Sequence, residues 1–144
     1  MGMLAYASQR GILTIQAVAE ALPFKQAIFD FVLVVTTICF VTDARKMLME
    51  ARRVLKPGAC LVIGFVDRDS RLGRMYMHHQ AENVFYRDAT FYSASEVENL
   101  LNEVGFSRQT WGQTLSAPLN RIQEVEPLRG GYGDGGFVVV SAAR

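Results

Sequence analysis

Apolar positions organise this chain into alternating strand and helix patterns. Leu4 to Gln9 reads as the tail of a helix closed by Gly11, and Ile12 to Val18 alternates well enough for a strand before the chain turns at Pro23. Asp30 to Thr36 is a run of β-branched and apolar residues without alternation, which predicts a strand covered on both faces and hence a parallel sheet. A helix follows. Thr42 or Asp43 caps it, Met47, Leu48, Ala51, Val54 and Leu55 form its apolar stripe, and Lys56-Pro57-Gly58 ends it. Its other face, with Arg45, Lys46, Glu50, Arg52 and Arg53, reads as solvated surface. Cys60 to Val66 is a second continuous apolar strand, so Asp30 to Val66 makes a strand, helix, strand unit with a right-handed crossover.

Beyond it the pattern weakens and then recovers. Asp67 to Thr90 is polar, rich in Arg, Tyr and His, and lacks a clear period, so it is expected to be a long connection. Ser93 and Glu96 stand at capping-box spacing, Val97, Leu100, Leu101 and Val104 continue as a helical stripe, and Gly105 closes it. Phe106 to Thr114 and Phe137 to Ala142 read as strands, separated by a glycine-rich loop from Gly130 to Gly136. The order places the chain in the α/β class, as one domain over residues 1–144, with an antiparallel pair at its C-terminal edge.

Composition supports a packed core. The 144 residues are 50% hydrophobic, with a mean hydropathy of +0.13. Fifteen basic residues meet 14 acidic ones for a formal charge of +1, which excludes a disordered polyelectrolyte and offers no basic stripe for nucleic acid. Cys39 and Cys60 lie in apolar runs and read as buried thiols of a reducing compartment, well separated in a parallel layout. The N-terminus lacks the order of a signal peptide, so a cytoplasmic location is the default, and the apolar run Phe29 to Val41 is too short for a bilayer. Adjacent His78 and His79 would diverge rather than share a metal, so no metal site is expected. The glycine cluster has no strand leading into it and no helix after it, and there is neither a P-loop nor a Gly-x-Ser-x-Gly elbow.

In open parallel sheets a ligand binds beyond the carboxyl ends of the strands, which selects Val18 to Glu20, Val35 to Cys39 and Phe65 to Arg68. Glu20 is either an acceptor for a ligand hydroxyl or a surface acid. Asp67, Arg68 and Asp69 either point into the cleft or solvate a loop. Tyr76, Tyr86, Phe91 and Tyr92 either form an apolar lid or pin the loop to the sheet edge.

Several of these segments, in this order, resemble the class I S-adenosylmethionine-dependent methyltransferases that act on small molecules. Ala19-Glu20-Ala21-Leu22-Pro23-Phe24, then Phe29-Asp30-Phe31-Val32, then Glu50-Ala51-Arg52-Arg53-Val54-Leu55-Lys56-Pro57-Gly58 are similar to the family's third, fourth and fifth strand regions. Phe91-Tyr92-Ser93 with Gly105-Phe106 is similar to its later helix. The resemblance implies a Rossmann-like three-layer sandwich, mostly parallel with an antiparallel C-terminal strand, and methyl transfer from S-adenosylmethionine to a small acceptor. It places Ala19, Glu20, Val35, Thr36 and Thr37 along the cofactor cleft and Asp67, Tyr76 and Tyr86 toward the acceptor. It names no catalytic residue, because transfer of this kind relies on positioning.

The sequence departs from the family in three respects. The family's glycine-rich loop after its first strand and the ribose-binding acid after its second have no counterpart here, and Val18 stands where an acid usually meets the adenine. The implied chain is an N-terminally truncated version whose strand Asp30 to Thr36 has a bare edge, to be covered by the strand Ile12 to Val18 moving in beside it, or by a second copy or a partner chain. The alternative function is a non-catalytic α/β module that binds a partner or dimerises through that edge.

Overall fold

The computed structural model describes residues 2–144. The N-terminal helix, α1 (Met3–Gln9), ends as expected, with Gly11 in the left-handed region at φ 76°. A five-stranded sheet carries the fold. Its strands are β1 (Phe29–Val35), β2 (Leu55–Val66), β3 (Ser107–Thr114), β4 (Arg129–Gly130) and β5 (Phe137–Ala143), in the spatial order β1-β2-β5-β3-β4. β1 and β2 pair parallel, and β5 lies antiparallel between β2 and β3, so β1, β2 and β3 share one direction. This mixed sheet matches the expected Rossmann-like α/β class.

Two helices cover one face. In α2 (Ala44–Val54) the Asp43 carboxylate accepts from the Lys46 amide. In α4 (Ala94–Val104) the capping box between Ser93 and Glu96 is complete, and Gly105 follows at φ 88°. Their stripes, Met47, Leu48 and Ala51 with Val97 and Leu101, pack on Val34, Leu61, Ile63, Val138 and Val140 in one core. The register explains the grouping, because Val34, Ile63 and Val140 are direct cross-strand partners and must point to the same side. Leu48, Leu61, Ile63 and Leu101 are fully buried, each stabilising the fold by about 1.5–3 kcal/mol relative to exposure.

The structure corrects several expectations. Ile12 to Val18 forms no strand; only an isolated bridge joins Val18 to Ala21. A strand needs a ladder partner, and this segment leads instead into a stretch tied to α2, where Arg53 donates to the carbonyls of Leu22 and Phe24 and Glu50 accepts from the Leu22 amide. Glu50 and Arg53 are therefore half-buried structural residues, not simply solvated surface.

β1 is not covered on both faces. Its outer face leaves Phe31 and Leu33 72% and 69% exposed, and its far edge pairs with no described strand. Val54 ends α2, and Lys56-Pro57-Gly58 already belongs to the long strand β2, with Gly58 at φ 76°.

The polar stretch after β2 contains a helix that the pattern did not show, α3 (Arg71–His78), capped by Ser70 Oγ accepting from the Gly73 amide. Cys39 and Cys60 are both free thiols and only half-buried. Among the described residues, no helix is long and apolar enough to cross a membrane.

Candidate active site

At the carboxyl ends of β1 and β2 the sheet opens into an apolar cavity of about 420 Å³. Residues after β1 (Thr36, Cys39, Phe40) form one side, Phe65 and Val66 of β2 with Phe137 of β5 form the floor, and α3 with the following loop forms the roof through Tyr76, Tyr86 and Phe91. The antiparallel pairing of Val66 with Phe137 brings the start of β5 to this end of the sheet, which is why the last strand contributes.

Backbone bonds hold the roof across the strand ends. The Thr90 amide donates to the Cys39 carbonyl at 2.7 Å, and the Arg68 amide to the Tyr92 carbonyl at 3.0 Å. Gln80 Nε2 donates to the Ala89 carbonyl at 2.7 Å, and Asn83 Oδ1 accepts from the Phe85 amide at 2.8 Å, giving residues 80–90 a defined shape. Phe40 and Tyr76 both stack on Tyr86, with ring centroids 6.4 and 5.0 Å from it, and Phe91 tilts against Tyr76 and Tyr86 at 6.2 Å. These rings both line the cavity and pin the loop, which the sequence posed as alternatives.

Tyr76 and Tyr86 lie together in this wall. Burial, with Tyr86 beside it, pushes the Tyr76 phenol above its ordinary value, so at neutral pH it is a hydrogen-bond donor and not a base. Burial likewise raises the Cys39 thiol. Asp67 sits elsewhere. It is 3% exposed, and its Oδ1 accepts from the Asp69 and Ala94 amides at 3.1 and 3.3 Å, joining the end of β2 to the start of α4. Arg68 bridges to Glu96 at 2.9 Å.

The positions assigned to a cofactor divide. Val35, Thr36 and Thr37 are exposed at the end of β1, and Thr36 adopts φ 47°, a left-handed conformation costly for a β-branched residue and held by its amide donating to the Gly64 carbonyl. Ala19 is half-buried and packs on the core. Glu20 Oε1 accepts from the Thr42 and Asp43 amides at 2.8 and 3.2 Å. The Asp43 amide, Glu20's own amide and the Thr42 amide hold its carboxyl below the usual carboxylate range. Glu20 thus anchors the entry to α2. Of these five positions only Thr36 lines the cavity, and Glu20, the one carboxylate among them, is taken up by backbone amides and is not free to hold a ribose.

Sequence reasoning missed Gln113 altogether. It is 5% exposed, and its Oε1 accepts from the Asp134 and Gly135 amides at 2.9 and 2.7 Å, shaping the glycine loop beside the cavity floor. A glutamine one residue before the end of a strand, with a glycine-rich loop following in the sequence, was the available signal. Among the described residues, no cluster of three or more His, Cys, Asp or Glu side chains is placed to hold a metal ion.

This architecture has close relatives. A family model described as a methyltransferase domain matches residues 1–63. An uncharacterised protein of Methanocaldococcus jannaschii is 44% identical over 142 residues, covering 99% of this chain and 69% of its own length. An uncharacterised protein of Mycobacterium tuberculosis is 40% identical over 142 residues, and there the chain spans only half of the relative's length. Among solved structures, a SAM-dependent methyltransferase of Thermotoga maritima, described as a possible histamine N-methyltransferase, superposes with a TM-score of 0.95 at 43% identity, covering 98% of this chain and 68% of that one. A SAM-dependent methyltransferase of Mesorhizobium loti, at 16% identity, shares the fold with a TM-score of 0.71, covering 99% of this chain and 76% of that one. At 43% identity over nearly all of its length to a protein of that class, the chain belongs to the S-adenosylmethionine-dependent methyltransferases.

Proposed function

We propose that this chain holds the methyl acceptor in an S-adenosylmethionine-dependent transfer to a small molecule, acting in the cytoplasm. The observation that carries the reading is the cavity at the carboxyl ends of β1 and β2, whose size of about 420 Å³ falls within the ~300–1,000 Å³ usual for small-molecule sites. Positioning is the protein's main contribution to such a transfer. Here α3 and residues 80–92 set the roof, Thr36 and Cys39 set the side facing β1, and Tyr76 offers a phenol proton to a polar atom of the acceptor. Asp67 supports the site through the backbone it fixes, and its side chain does not line the cavity.

The test is transfer of label from methyl-labelled S-adenosylmethionine to a panel of small acceptors, beside calorimetric titration of the cofactor. Histamine, a cation at neutral pH, is included beside uncharged aromatic acceptors because of the description of the Thermotoga maritima relative. Label transfer that drops on Tyr86→Ala supports the reading. No heat at millimolar cofactor and no transfer would overturn it in favour of the non-catalytic interaction module.

We also propose that a second copy covers β1. Its seven residues present an unpaired edge, and Phe31, Leu33 and Val35 form an exposed apolar row on the face opposite the core. The same strand paired antiparallel across a two-fold axis satisfies the free backbone groups of both copies at once. Sedimentation velocity reads this directly: a stable monomer would overturn it.

A further inference from the structure

The cavity's chemistry narrows the acceptor, on the reading just given. Among the described residues, its lining includes no Asp, Glu, Lys, Arg or His. The nearby charges are engaged elsewhere: Asp67 by the Asp69 and Ala94 amides, and Arg68 by Glu96 and Asp69. A cation or an anion entering this space would lose water and meet no counter-charge within the lining.

Ring geometry distinguishes further. Aromatic faces attract cations, but here Phe40 and Tyr76 lie nearly parallel to Tyr86, at interplanar angles of 17° and 23°, so these rings turn their faces toward one another. The faces that these rings turn on one another are closed to a guest, and the remaining edges and outer faces of the stack suit contact with another aromatic ring. Phe91, inclined at 31° and 47° to Tyr76 and Tyr86, adds an oblique wall that suits a flat guest. The only polar groups in the lining side chains are the hydroxyls of Thr36, Tyr76, Tyr86 and Tyr92 and the thiol of Cys39. They suit one polar atom on a guest and not a highly polar one.

We propose that the acceptor bound in this cavity is an uncharged, planar aromatic or heteroaromatic molecule bearing a single polar oxygen, nitrogen or sulfur, seated against the Tyr76–Tyr86 stack.

The experiment measures equilibrium binding without cofactor, using three probes that share one ring system: naphthol, naphthoate and trimethylnaphthylammonium. Calorimetry at neutral pH is expected to show naphthol binding at least about tenfold more tightly than either charged probe, because only the charged probes must shed an uncompensated charge. Tyr86→Ala should weaken naphthol by about tenfold through loss of the ring contact, whereas Tyr86→Phe, which keeps the ring, should stay within about threefold. Equal or tighter binding of the ammonium or the carboxylate overturns the proposal. So does failure of all three probes to bind, or full naphthol binding by a folded Tyr86→Ala. Should Tyr86→Ala fail to fold, the Tyr86→Phe result and the ranking of the probes decide it alone. Because no cofactor is present, a naphthol preference without any methyl transfer would count against the proposed function only. Methyl transfer to charged acceptors without that preference would count against this inference only.

Discussion

Gly73 approaches the end of β2 so closely that a Cβ on it would stand 2.1 Å from the carbonyl oxygen of Asp67. The contact seats α3, and therefore Tyr76, against the strand that floors the cavity. Backbone cannot yield as a side-chain tip can. Gly73→Ala is accordingly expected to destabilise the fold by about 1–3 kcal/mol, by chemical denaturation, and to weaken any guest of the cavity. Unchanged stability would show that α3 is not held by this contact.

Arg53 and Glu50 clamp the chain ahead of β1 onto α2, through a two-pronged pair at 2.7 and 2.8 Å and the bonds from Arg53 to the carbonyls of Leu22 and Phe24. Arg53→Ala should release residues 22–28 without unfolding the core. Limited trypsin digestion is expected to cut after Lys25 faster in the variant than in the parent, and equal rates would dismiss the clamp.

The start of α4 carries a pH signature. Burial pushes the Glu96 carboxyl up, but the Ser93 amide and the Arg68 guanidinium outweigh it and leave the group below its ordinary value of 4.5. A depressed carboxylate stabilises the fold fully above its unfolded value and loses that contribution as pH falls through the folded value. Glu96→Gln should therefore be less stable than the parent at neutral pH, with the difference shrinking as pH falls below 4.5. Ser93→Ala, which removes the other half of the cap, is expected to cost about 1 kcal/mol. Urea titrations across pH check both.

Cys39 combines partial burial with a thiol pushed up by that burial, so little thiolate is present at neutral pH. Its alkylation by iodoacetamide, followed by peptide mass spectrometry, should be slower in the folded protein than after denaturation. A bound guest of the cavity should slow it further, because Cys39 lines the same space.

Leu33 is 69% exposed on the open face of β1. Placing a charge there disfavours edge-to-edge pairing at little cost to a monomer. Leu33→Lys is expected to return a dimer to monomer in sedimentation velocity, with the melting curve of the isolated chain little changed.

Much of the fold was legible from local rules. The Asp43 cap, the Ser93 and Glu96 box and the turn at Gly105 were readable because their interacting atoms lie within four residues of one another. The α/β class was legible because apolar spacing reports which residues must leave water. α3 escaped because an eight-residue helix burying only Leu72 and Gly73 gives almost no stripe, although Ser70 ahead of it was a cap in waiting. The placement of Tyr76 and Tyr86 in one wall was legible only as a possibility, since their stacking depends on where α3 sits.

The sequence by itself determined α2, α4, their caps and the parallel crossover from β1 to β2, all of which rest on short-range periodicity, and it carried the family resemblance through the order of whole segments such as Ala19 to Phe24 and Glu50 to Gly58. Only the tertiary structure decided that Ile12 to Val18 stays out of the sheet, that one face of β1 faces solvent, that Glu20 and Asp67 serve backbone amides, and that Gln113 shapes the glycine loop. In each case the deciding partner is distant in sequence. A strand forms only where another strand offers a ladder, and a carboxylate's role is set by which donors the packed chain brings within hydrogen-bonding distance.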